Sequence, residues 1–441
     1  MPRGKLHESP TTARSKHVKS LRCVASAVAP KSGSTDSGTG LQTLLRRRVQ
    51  AVIAGWLLFG LSCTAPTPLA VKIAVSEPMG VVSALPRMRA VELALDDARH
   101  RAGKVRVDLL VLDSSDLSRG EEISPEAEMR AAQRAVADPT VVAYMGSPFT
   151  ALTKVSLPIT NRAGMVQISA AASWPGLTRS GFGPGEPGVY YPKGRRNFFR
   201  LIPSDDIAAE AAAQWTLDLG FKRIFVVDNG LVFGRGMAGM FEQTARDAGL
   251  TIVGRESLLL GDTTGGTRPS PAVVAAHALA TEPDLVYFGG TGPEGGDEFL
   301  PALRQLDPAI PVMSSHGLLG EPTHLARYGI YDGVYVTAPS IDSDSGEAFD
   351  AFRARYRERF GEEPLYGAIR SYETARVLLR AIELAATPTR DDVLTAAEHL
   401  GDFSGVLGTW HFDANGDTSL RNIACHLLSH GEWVRVRTMR P

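Results

Sequence analysis

Residues 141–173, which read VVAYMGSPFTALTKVSLPITNRAGMVQISAAAS, decide the fold of this 441-residue chain. The short apolar run Val141–Met145 predicts a buried strand, Ala151–Arg162 predicts a helix, and Met165–Ile168 predicts a second strand. A strand, a helix and a strand in this order indicate a parallel sheet that is covered by helices. The same alternation continues on both sides of this stretch.

Two series of alternating elements surround the stretch. The upstream series is predicted to contain strands and helices at Val71–Val75, Ala84–Arg101, Val105–Leu112 and Pro125–Ala137. The downstream series is predicted at Asp206–Leu219, Arg223–Asp228, Met237–Ala248, Thr251–Arg255, Pro271–Ala280, Leu285–Phe288 and Glu298–Leu306. Between them, Gly176–Asn197 is too rich in Gly and Pro to form a regular element, and Phe198–Asp205 is extended. This interruption is typical of a hinge, and a surface loop within one domain has the same composition.

We therefore expect an α/β fold with two doubly wound parallel-sheet lobes. The charges are balanced, with 47 Lys and Arg against 48 Asp and Glu, so the chain lacks the basic footprint of a nucleic-acid binder. Its three cysteines, Cys23, Cys63 and Cys425, are far apart and support neither a disulfide framework nor a cysteine zinc site. GxSxG, HExxH and P-loop motifs are missing, and no GxGxxG follows the first strand. We expect no catalytic residues, no metal and no cofactor.

The N-terminal region predicts export. Residues 1–48 show no apolar period and are expected to be either disordered or an extension produced by a start codon placed too far upstream. Segment 49–63 has the basic flank and the apolar core of a secretory signal, and it is too short for a membrane span of about 20 residues. Its ending, Gly60-Leu-Ser-Cys63, is similar to a bacterial lipobox, although Gly and Ser stand where Leu and a smaller residue are usual. We expect a cell-surface lipoprotein modified at Cys63, and otherwise a secreted or periplasmic protein with an ordinary signal.

Ligands of open parallel sheets bind outside the carboxyl ends of the strands. Thr150 opens the helix after the strand Val141–Met145, where its hydroxyl and the backbone N–H groups could hold a carboxylate. It could equally be a simple N-cap. Ser173 and Trp174 follow the next strand, and each has a structural alternative as a turn cap and as a packing residue. The downstream series offers three further strand-end residues, Phe233, Thr291 and His316, of which the aromatic ring and the imidazole could also be structural.

Several of these segments fall in the order and spacing of a known family. They are VAYMG (142–146), ISAAAS (168–173), FRLIPSD (199–205), Phe233-Gly234, YFGG (287–290) and GTWHFDANGD (408–417). In them the chain resembles the periplasmic-binding-protein type I family, specifically the branched-chain amino-acid (Leu/Ile/Val) binding proteins of ABC transporters. The resemblance implies two lobes joined by a three-crossing hinge. Lobe 1 is expected to hold residues 71–204 and 340–408, and lobe 2 to hold 205–339 and 409–441.

The resemblance also assigns ligand-binding positions. The hydroxyls that hold the α-carboxylate of the amino acid correspond to Thr150 and Ser173, together with the backbone of Ala171. The acid of the cleft corresponds to Asp205, and the aromatic residue of lobe 2 corresponds to Phe233, which keeps the ring and loses a hydroxyl.

Two positions depart from the family. Thr291 stands where a second tyrosine is usual, and His316 replaces the acid that pairs with the ligand ammonium. An imidazole cannot serve as counter-ion to an ammonium, so a carboxylate-bearing solute with an amide, a hydroxyl or a second anion fits better. The long segment Gly176–Asn197 either brings Tyr190 and Tyr191, beside Trp174, to the rim of the cleft or forms a surface flap without ligand contact.

The function that these expectations imply is an exported, monomeric solute-binding protein that closes its lobes on an amino acid or a derivative and delivers it to the permease and ATPase subunits of an ABC importer. The main alternative is a ligand-sensing module that signals to a regulator or kinase. A third alternative is an exported enzyme, for which only His316 near Thr291 and Asp205 speaks.

Overall fold

The computed structural model describes residues 69–260, 267–319, 325–340, 346–365 and 367–441. The predicted extension 1–48, the signal segment 49–63 and the lipidation site Cys63 lie outside the described residues.

The strands are β1 (Ala70–Glu77), β2 (Arg101–Ala102), β3 (Val105–Asp113), β4 (Val141–Met145), β5 (Val166–Ser169), β6 (Phe198–Arg200), β7 (Arg223–Asp228), β8 (Thr251–Ser257), β9 (Leu285–Gly289), β10 (Val312–Ser315), β11 (Val334–Pro339), β12 (Phe403–Gly405), β13 (Gly408–Trp410), β14 (Ile423–Ser429) and β15 (Glu432–Met439). The helices are α1 (Ala84–Asp97), α2 (Pro125–Ala137), α3 (Thr150–Arg162), α4 (Asp205–Asp218), α5 (Val232–Asp247), α6 (Pro271–Ala280), α7 (Gly296–Leu306), α8 (Glu347–Phe360), α9 (Ala368–Leu384) and α10 (Arg390–Glu398).

The first sheet has the strand order β2-β3-β1-β4-β5-β6 and is parallel except for the short strand β2. Both faces are covered by helices. Val91 of α1 and Leu378 of α9 are buried in the core of one face, and Ala132 of α2 is buried beside Tyr144 on the other. Because both faces are buried, the strands are continuously apolar, as the sequence indicated.

The second sheet has the order β15-β14-β11-β10-β9-β7-β8, in which β14 and β15 are antiparallel to their neighbours and the other strands are parallel. Ala212 of α4 and Phe241 of α5 pack on one face, where Phe241 stacks on Tyr287 with 3.8 Å between ring centroids. Ala278 of α6 and Leu303 of α7 pack on the other face. The predicted α/β architecture of two parallel-sheet lobes is confirmed.

The chain passes between the layers of the two sheets three times, after β6, after β11 and after β13. The crossings lie side by side. The N–H of Arg200 donates to the carbonyl oxygen of Gly416 at 3.0 Å, and the N–H of Ser340 donates to that of Asn422 at 2.7 Å.

The residue boundaries of the two lobes stay a prediction. One contact pattern favours a change to the last boundary, which was placed between residues 408 and 409. Trp410, Phe412 and Leu420 pack in the core beside the first sheet, whereas Ile423 begins a strand of the second. This packing favours a third crossing beyond residue 420.

Two predicted helices have a bound that is wrong by four residues or more. The helix predicted over Ala84–Arg101 ends at Asp97, because Arg99 and His100 have left-handed φ angles of 52° and 53° and the chain turns back into β2. The helix predicted from Met237 begins at Val232, so that Phe233 lies in its first turn. Three glycines in this helix lower its intrinsic propensity and concealed its start.

Candidate functional site

The strand order of each sheet reverses once, and three of the candidate residues follow strands at these two reversals. In the first sheet the order reverses between β1 and β4, and in the second between β7 and β9. Thr150 follows β4, Phe233 follows β7 and Thr291 follows β9. Crevices at such switch points are where α/β sheets bind ligands. The topology therefore brings together residues that the sequence could place only at separate strand ends.

Thr150 is the first residue of α3 and is 8% exposed. The N-cap position belongs to Phe149, so the alternative in which Thr150 caps the helix is wrong. The turn before it depends on Gly146, which has a φ of 130° and whose added Cβ would lie 2.7 Å from the carbonyl oxygen of Ser76. The helix start therefore offers the Thr150 hydroxyl beside the positive end of the α3 dipole.

The loop after β5 is organised by Ser169. Its hydroxyl donates to the carbonyl oxygen of Ser147 at 2.7 Å and accepts the N–H groups of Ala172 at 2.9 Å and Ala171 at 3.3 Å. The predicted use of the Ala171 backbone for ligand binding stays a prediction, and its N–H already contacts this hydroxyl. The bonds fix the loop that carries Ser173.

Ser173 and Asp205 form the first-crossing part of the site. They are 2% and 3% exposed, and the N–H of Asp205 donates to the carbonyl oxygen of Ser173 at 2.9 Å. Burial raises the pKa of Asp205 to about 7, although the hydrogen bond from the Ser173 side chain and the charge of Arg200 lower it. Among the described residues, Oδ1 of Asp205 has no hydrogen-bond partner. The carboxyl group is thus close to half protonated at neutral pH and has one oxygen available.

Phe233 and His316 are brought together on the side of the second sheet. Their rings meet edge to face, with centroids 5.2 Å apart. Burial, with a smaller effect of the nearby Arg370 charge, lowers the pKa of His316 to about 4, so the imidazole is neutral at pH 7. Its Nδ1 is buried and makes no hydrogen bond to any residue that the structure describes. A neutral ring with an open nitrogen can bind a polar group but not an ammonium by charge.

Thr291 lies in the turn beside His316, because the N–H of Gly292 donates to the carbonyl oxygen of Gly317 at 3.2 Å. The hydroxyl of Thr291 is used within its own turn. It donates to Oε2 of Glu294 at 2.9 Å and accepts the Glu294 N–H at 3.2 Å. The turn is thereby fixed, and ligand contact by Thr291 stays a prediction.

The three residues predicted at the rim differ in their surroundings. Tyr190 and Tyr191 are 7% and 9% exposed and belong to a small core with Leu157 of α3. Their hydroxyls are bonded to Oε1 of Glu186 at 2.5 Å and to the Leu177 carbonyl oxygen at 2.6 Å. Trp174 is partly buried and packs against this core. The tyrosines thus lie behind Trp174 rather than presenting free hydroxyls.

A buried ion pair at the end of β1 was missed from the sequence. Arg87 of α1 binds both carboxylate oxygens of Glu77 at 2.9–3.1 Å, and its guanidinium lies 6.0 Å from the ring centroid of Phe149, next to Thr150. Burial raises the pKa of Glu77 although Arg87 lowers it. The available signal was that Glu77 follows an apolar strand, but the predicted strand ended at Val75.

The described part of the chain contains no cluster of His, Cys, Asp or Glu that could hold a metal ion. Among the helices in the described ranges, none has both the length and the hydrophobicity needed to span a bilayer. Cys425 is a free, buried thiol in β14, and burial raises its pKa to about 11.

Comparisons with known proteins identify the family of the chain. A family model described as periplasmic binding protein matches residues 70–424. The Leu/Ile/Val-binding protein BraC3 of Rhizobium johnstonii is 23% identical over 348 residues, which cover 78% of this chain and 86% of the relative. The solved leucine binding protein LivK of Thermotoga maritima is 23% identical with a TM-score of 0.70, covering 84% of this chain and 99% of the other. A solute binding protein from R. palustris, solved with benzoate, is 16% identical with a TM-score of 0.67, covering 84% and 97%.

These relatives are solute-binding proteins and not enzymes, as predicted. The matched model spans most of the chain and both sheets. The chain therefore belongs to the periplasmic binding protein family, as a type I member of the kind that serves ABC transporters as substrate-binding protein.

Proposed function

We propose that this protein captures a small carboxylate-bearing solute, an amino acid or a derivative of one, by closing its two lobes on it. The observation that carries the proposal is that polar candidate residues follow strands of both sheets, namely Thr150 and the Ser173–Asp205 pair in the first and the Phe233–His316 pair in the second. A solute that contacts both sides favours the closed arrangement by its differential affinity for it.

The carboxylate of the solute is assigned to the start of α3. The Thr150 hydroxyl and the positive end of the helix dipole favour an anion there. Arg87, six ångströms from the Phe149 ring, is neutralised by Glu77, so the helix start and not this guanidinium supplies the attraction.

The second polar group of the solute is assigned to Asp205 and His316. Both have a buried atom without a partner among the described residues, and neither carries a firm charge at neutral pH. This pairing favours an amide or a hydroxyl over an ammonium. An ammonium fits only if Asp205 releases its proton to solvent and pairs with it as a carboxylate, because an adjacent cation lowers the pKa of a carboxyl group.

A thermal-shift panel tests the proposal. Purified protein is screened with branched-chain amino acids, polar amino acids and their amides, hydroxy acids, dicarboxylates and, because a related fold was solved with benzoate, aromatic carboxylates. A ligand at 100 times its Kd stabilises the folded state by about 2.7 kcal/mol and raises the Tm by a few degrees. A shift with amides or hydroxy acids but not with free amino acids supports the assignment to His316. A shift with Leu, Ile or Val contradicts it, and no shift at all contradicts the solute class.

We further propose that the protein is exported, is held at the cell surface through Cys63, and hands its solute to a permease. Family membership supports export, and the lipobox-like ending of segment 49–63 supports the anchor. Mass spectrometry of the mature N-terminus tests this, since a diacylglycerol modification on Cys63 is expected. An unmodified terminus elsewhere would mean an ordinary secretory signal.

A further inference from the structure

The Gly- and Pro-rich segment 176–197 contains a carboxylate that is fully engaged. Oε2 of Glu186 accepts the indole N–H of Trp174 at 2.8 Å, and Oε1 accepts the Tyr190 hydroxyl at 2.5 Å and the Lys154 ammonium at 2.9 Å. The Glu186 side chain is 7% exposed. Burial alone would raise the pKa of Glu186, but these three donors bring it below its ordinary value. The carboxylate is thus held as an anion by three donors at once.

Two glycines lie directly against this carboxylate. A Cβ added to Gly176 would lie 1.8 Å from Oε2 of Glu186 and 2.4 Å from Nε1 of Trp174, and a Cβ added to Gly183 would lie 2.7 Å from the same Oε2. Glycine is therefore required at both positions for the Glu186–Trp174 contact to form. Two of the glycines that indicated an irregular loop in the sequence thus allow the Glu186 side chain to pack against the backbone of this segment.

The indole that Glu186 holds reaches the other half of the site. Lys154 of α3 lies 4.7 Å from the Trp174 ring centroid. On the opposite side, a Cβ added to Gly236 of α5 would lie 2.6 Å from Cζ3 of Trp174. Trp174 directly follows Ser173, and Gly236 lies one helical turn beyond Phe233. The indole is therefore a direct contact between elements of the two sheets, beside the candidate ligand residues.

We propose that Trp174 is a latch between the two lobes and that Glu186 is the positioning residue that holds it against Gly236. The latch rests on the proposed function, since it acts on the lobe closure that captures the solute. A contact between the lobes that forms without solute stabilises the arrangement in which Trp174 lies against Gly236, and it opposes opening from that arrangement. The inserted segment then tunes how long a solute is retained, without contacting the solute.

Two matched pairs of variants test the latch. Gly236→Ala places a methyl group against the rigid indole, whereas Gly239→Ala adds the same group to the same helix with only Nη1 of Arg255 at 3.8 Å. Glu186→Leu removes every acceptor of the network, whereas Glu186→Gln keeps a carbonyl oxygen for the indole N–H. Full-length protein is labelled with fluorotryptophan at its five tryptophans, and Trp174→Phe assigns the resonance. The fluorine shift between light and heavy water reports the exposure of Trp174, and solution scattering reports the lobe separation.

In the wild-type protein and in Gly239→Ala, we expect Trp174 to be covered. In Gly236→Ala and Glu186→Leu, we expect Trp174 to become exposed and the radius of gyration to rise, with Glu186→Gln in between. A Trp174 that is exposed in the wild type, or that stays covered in both variants, overturns the latch, and so does exposure without any change of the radius. Neither readout needs a solute, so the two proposals can fail separately. The latch can be wrong although the thermal-shift panel finds a ligand, and the latch can be supported although the panel finds none.

Discussion

The guanidinium of Arg200 binds Asp417 at 2.8 Å, and this ion pair ties the strand that leads into the first crossing to the segment that leads into the third. The same side chain donates to the carbonyl oxygen of Trp174 and to the hydroxyl of Thr178, both at 2.7 Å. Arg200 is fully buried, whereas Asp417 keeps 13% of its side chain exposed. The pair thus links the hinge to the loop that carries Ser173.

Replacing Arg200 is therefore expected to destabilise the fold strongly. Arg200→Met removes the donor of a buried carbonyl oxygen and one of the donors of Asp417, which keeps the Thr178 hydroxyl at 3.1 Å and Nε of Arg179 at 3.4 Å. We expect a loss of about 3 kcal/mol in the free energy of unfolding, since several buried hydrogen bonds of a charged group are lost together. Urea denaturation measures it. Arg106→Met is the control, because Arg106 is 59% exposed and pairs with Asp108 at the surface, where such a pair contributes about 0–1 kcal/mol. Equal losses in the two variants would show that the buried pair has no special weight.

Asp205 is expected to give the protein a stability that falls as the pH rises. Its pKa is about 7 when folded, against 3.8 ordinarily, so between these values the folded state holds a proton that the unfolded state has released. Its contribution is present below about pH 4 to 5 and disappears as the pH rises through about 7. Asp205→Asn removes this dependence. Between about pH 5 and about pH 8, the wild type should lose about 3 kcal/mol more of its free energy of unfolding than the variant does.

Unfolding curves at both pH values check this prediction, with Asp206→Asn as the neighbouring control. Burial would raise the pKa of Asp206, but the hydrogen bonds from Arg179 and Ser204 and the charges of Arg179 and Arg200 together bring it below its ordinary value, so its titration lies below the tested range. A pH slope that is the same in Asp205→Asn and in the wild type would contradict the raised pKa.

His316 is expected to act with the opposite sign. Its folded pKa of about 4 lies below the ordinary 6.5, so the unfolded state takes up the proton first and stability is lost as the pH falls from about 6.5 to about 4. His316→Gln removes this loss. On going from about pH 8 to about pH 5, the wild type should lose at most about 2 kcal/mol more of its free energy of unfolding than the variant does. Thermal unfolding at the two pH values measures it. If the variant instead loses more stability than the wild type as the pH falls, the imidazole is charged in the folded state.

Gly146 is expected to tolerate no side chain. Its φ of 130° disfavours an L residue, and an added Cβ would lie 2.7 Å from the carbonyl oxygen of Ser76. We expect Gly146→Ala to cost about 3 kcal/mol or more, since both strain and a backbone clash act. Gly194→Ala is the matched control, because Gly194 has a φ of 74° but no atom within 4 Å of the added group, and it should cost about 1 kcal/mol. Similar costs in a denaturant titration would rule out the clash.

Elements with a clear local signal could be predicted from the sequence to the residue. The helix at Pro125–Ala137 begins with Ser124 as N-cap, whose side chain accepts the N–H of Ala127 at 3.4 Å. Ser270 is likewise the N-cap before Pro271, although its side chain makes no capping hydrogen bond. Ser before Pro is a strong start signal because the cap accepts an orphan N–H and Pro has none to lose. Both helices match their predicted bounds.

What the sequence could not indicate depends on contacts between distant segments. Glu186 has no periodic pattern around it, and its role follows only from the approach of Lys154 and Trp174. Likewise, the start of the helix around Phe233 was predicted five residues late. A Cβ added to Gly234 would lie 2.5 Å from the carbonyl oxygen of Gly289, so close packing requires a glycine there although glycine has a low helix propensity. The candidate site residues were named at strand ends, whereas the position of Thr150, Phe233 and Thr291 at the two reversals required the strand order.

The last two strands, β14 and β15, have a consequence for biosynthesis. β14 pairs with β11 across Val334–Pro339, although the helices of the first lobe, α8 to α10, lie between them in the chain. A nascent chain in which β14 has not yet been synthesised therefore exposes the edge of β11 with its backbone groups unpaired, which favours association with other chains. The edge strand β15 carries Arg435 and Arg437, which disfavour such pairing. The second sheet is thus protected from aggregation only after β14 and β15 have been synthesised.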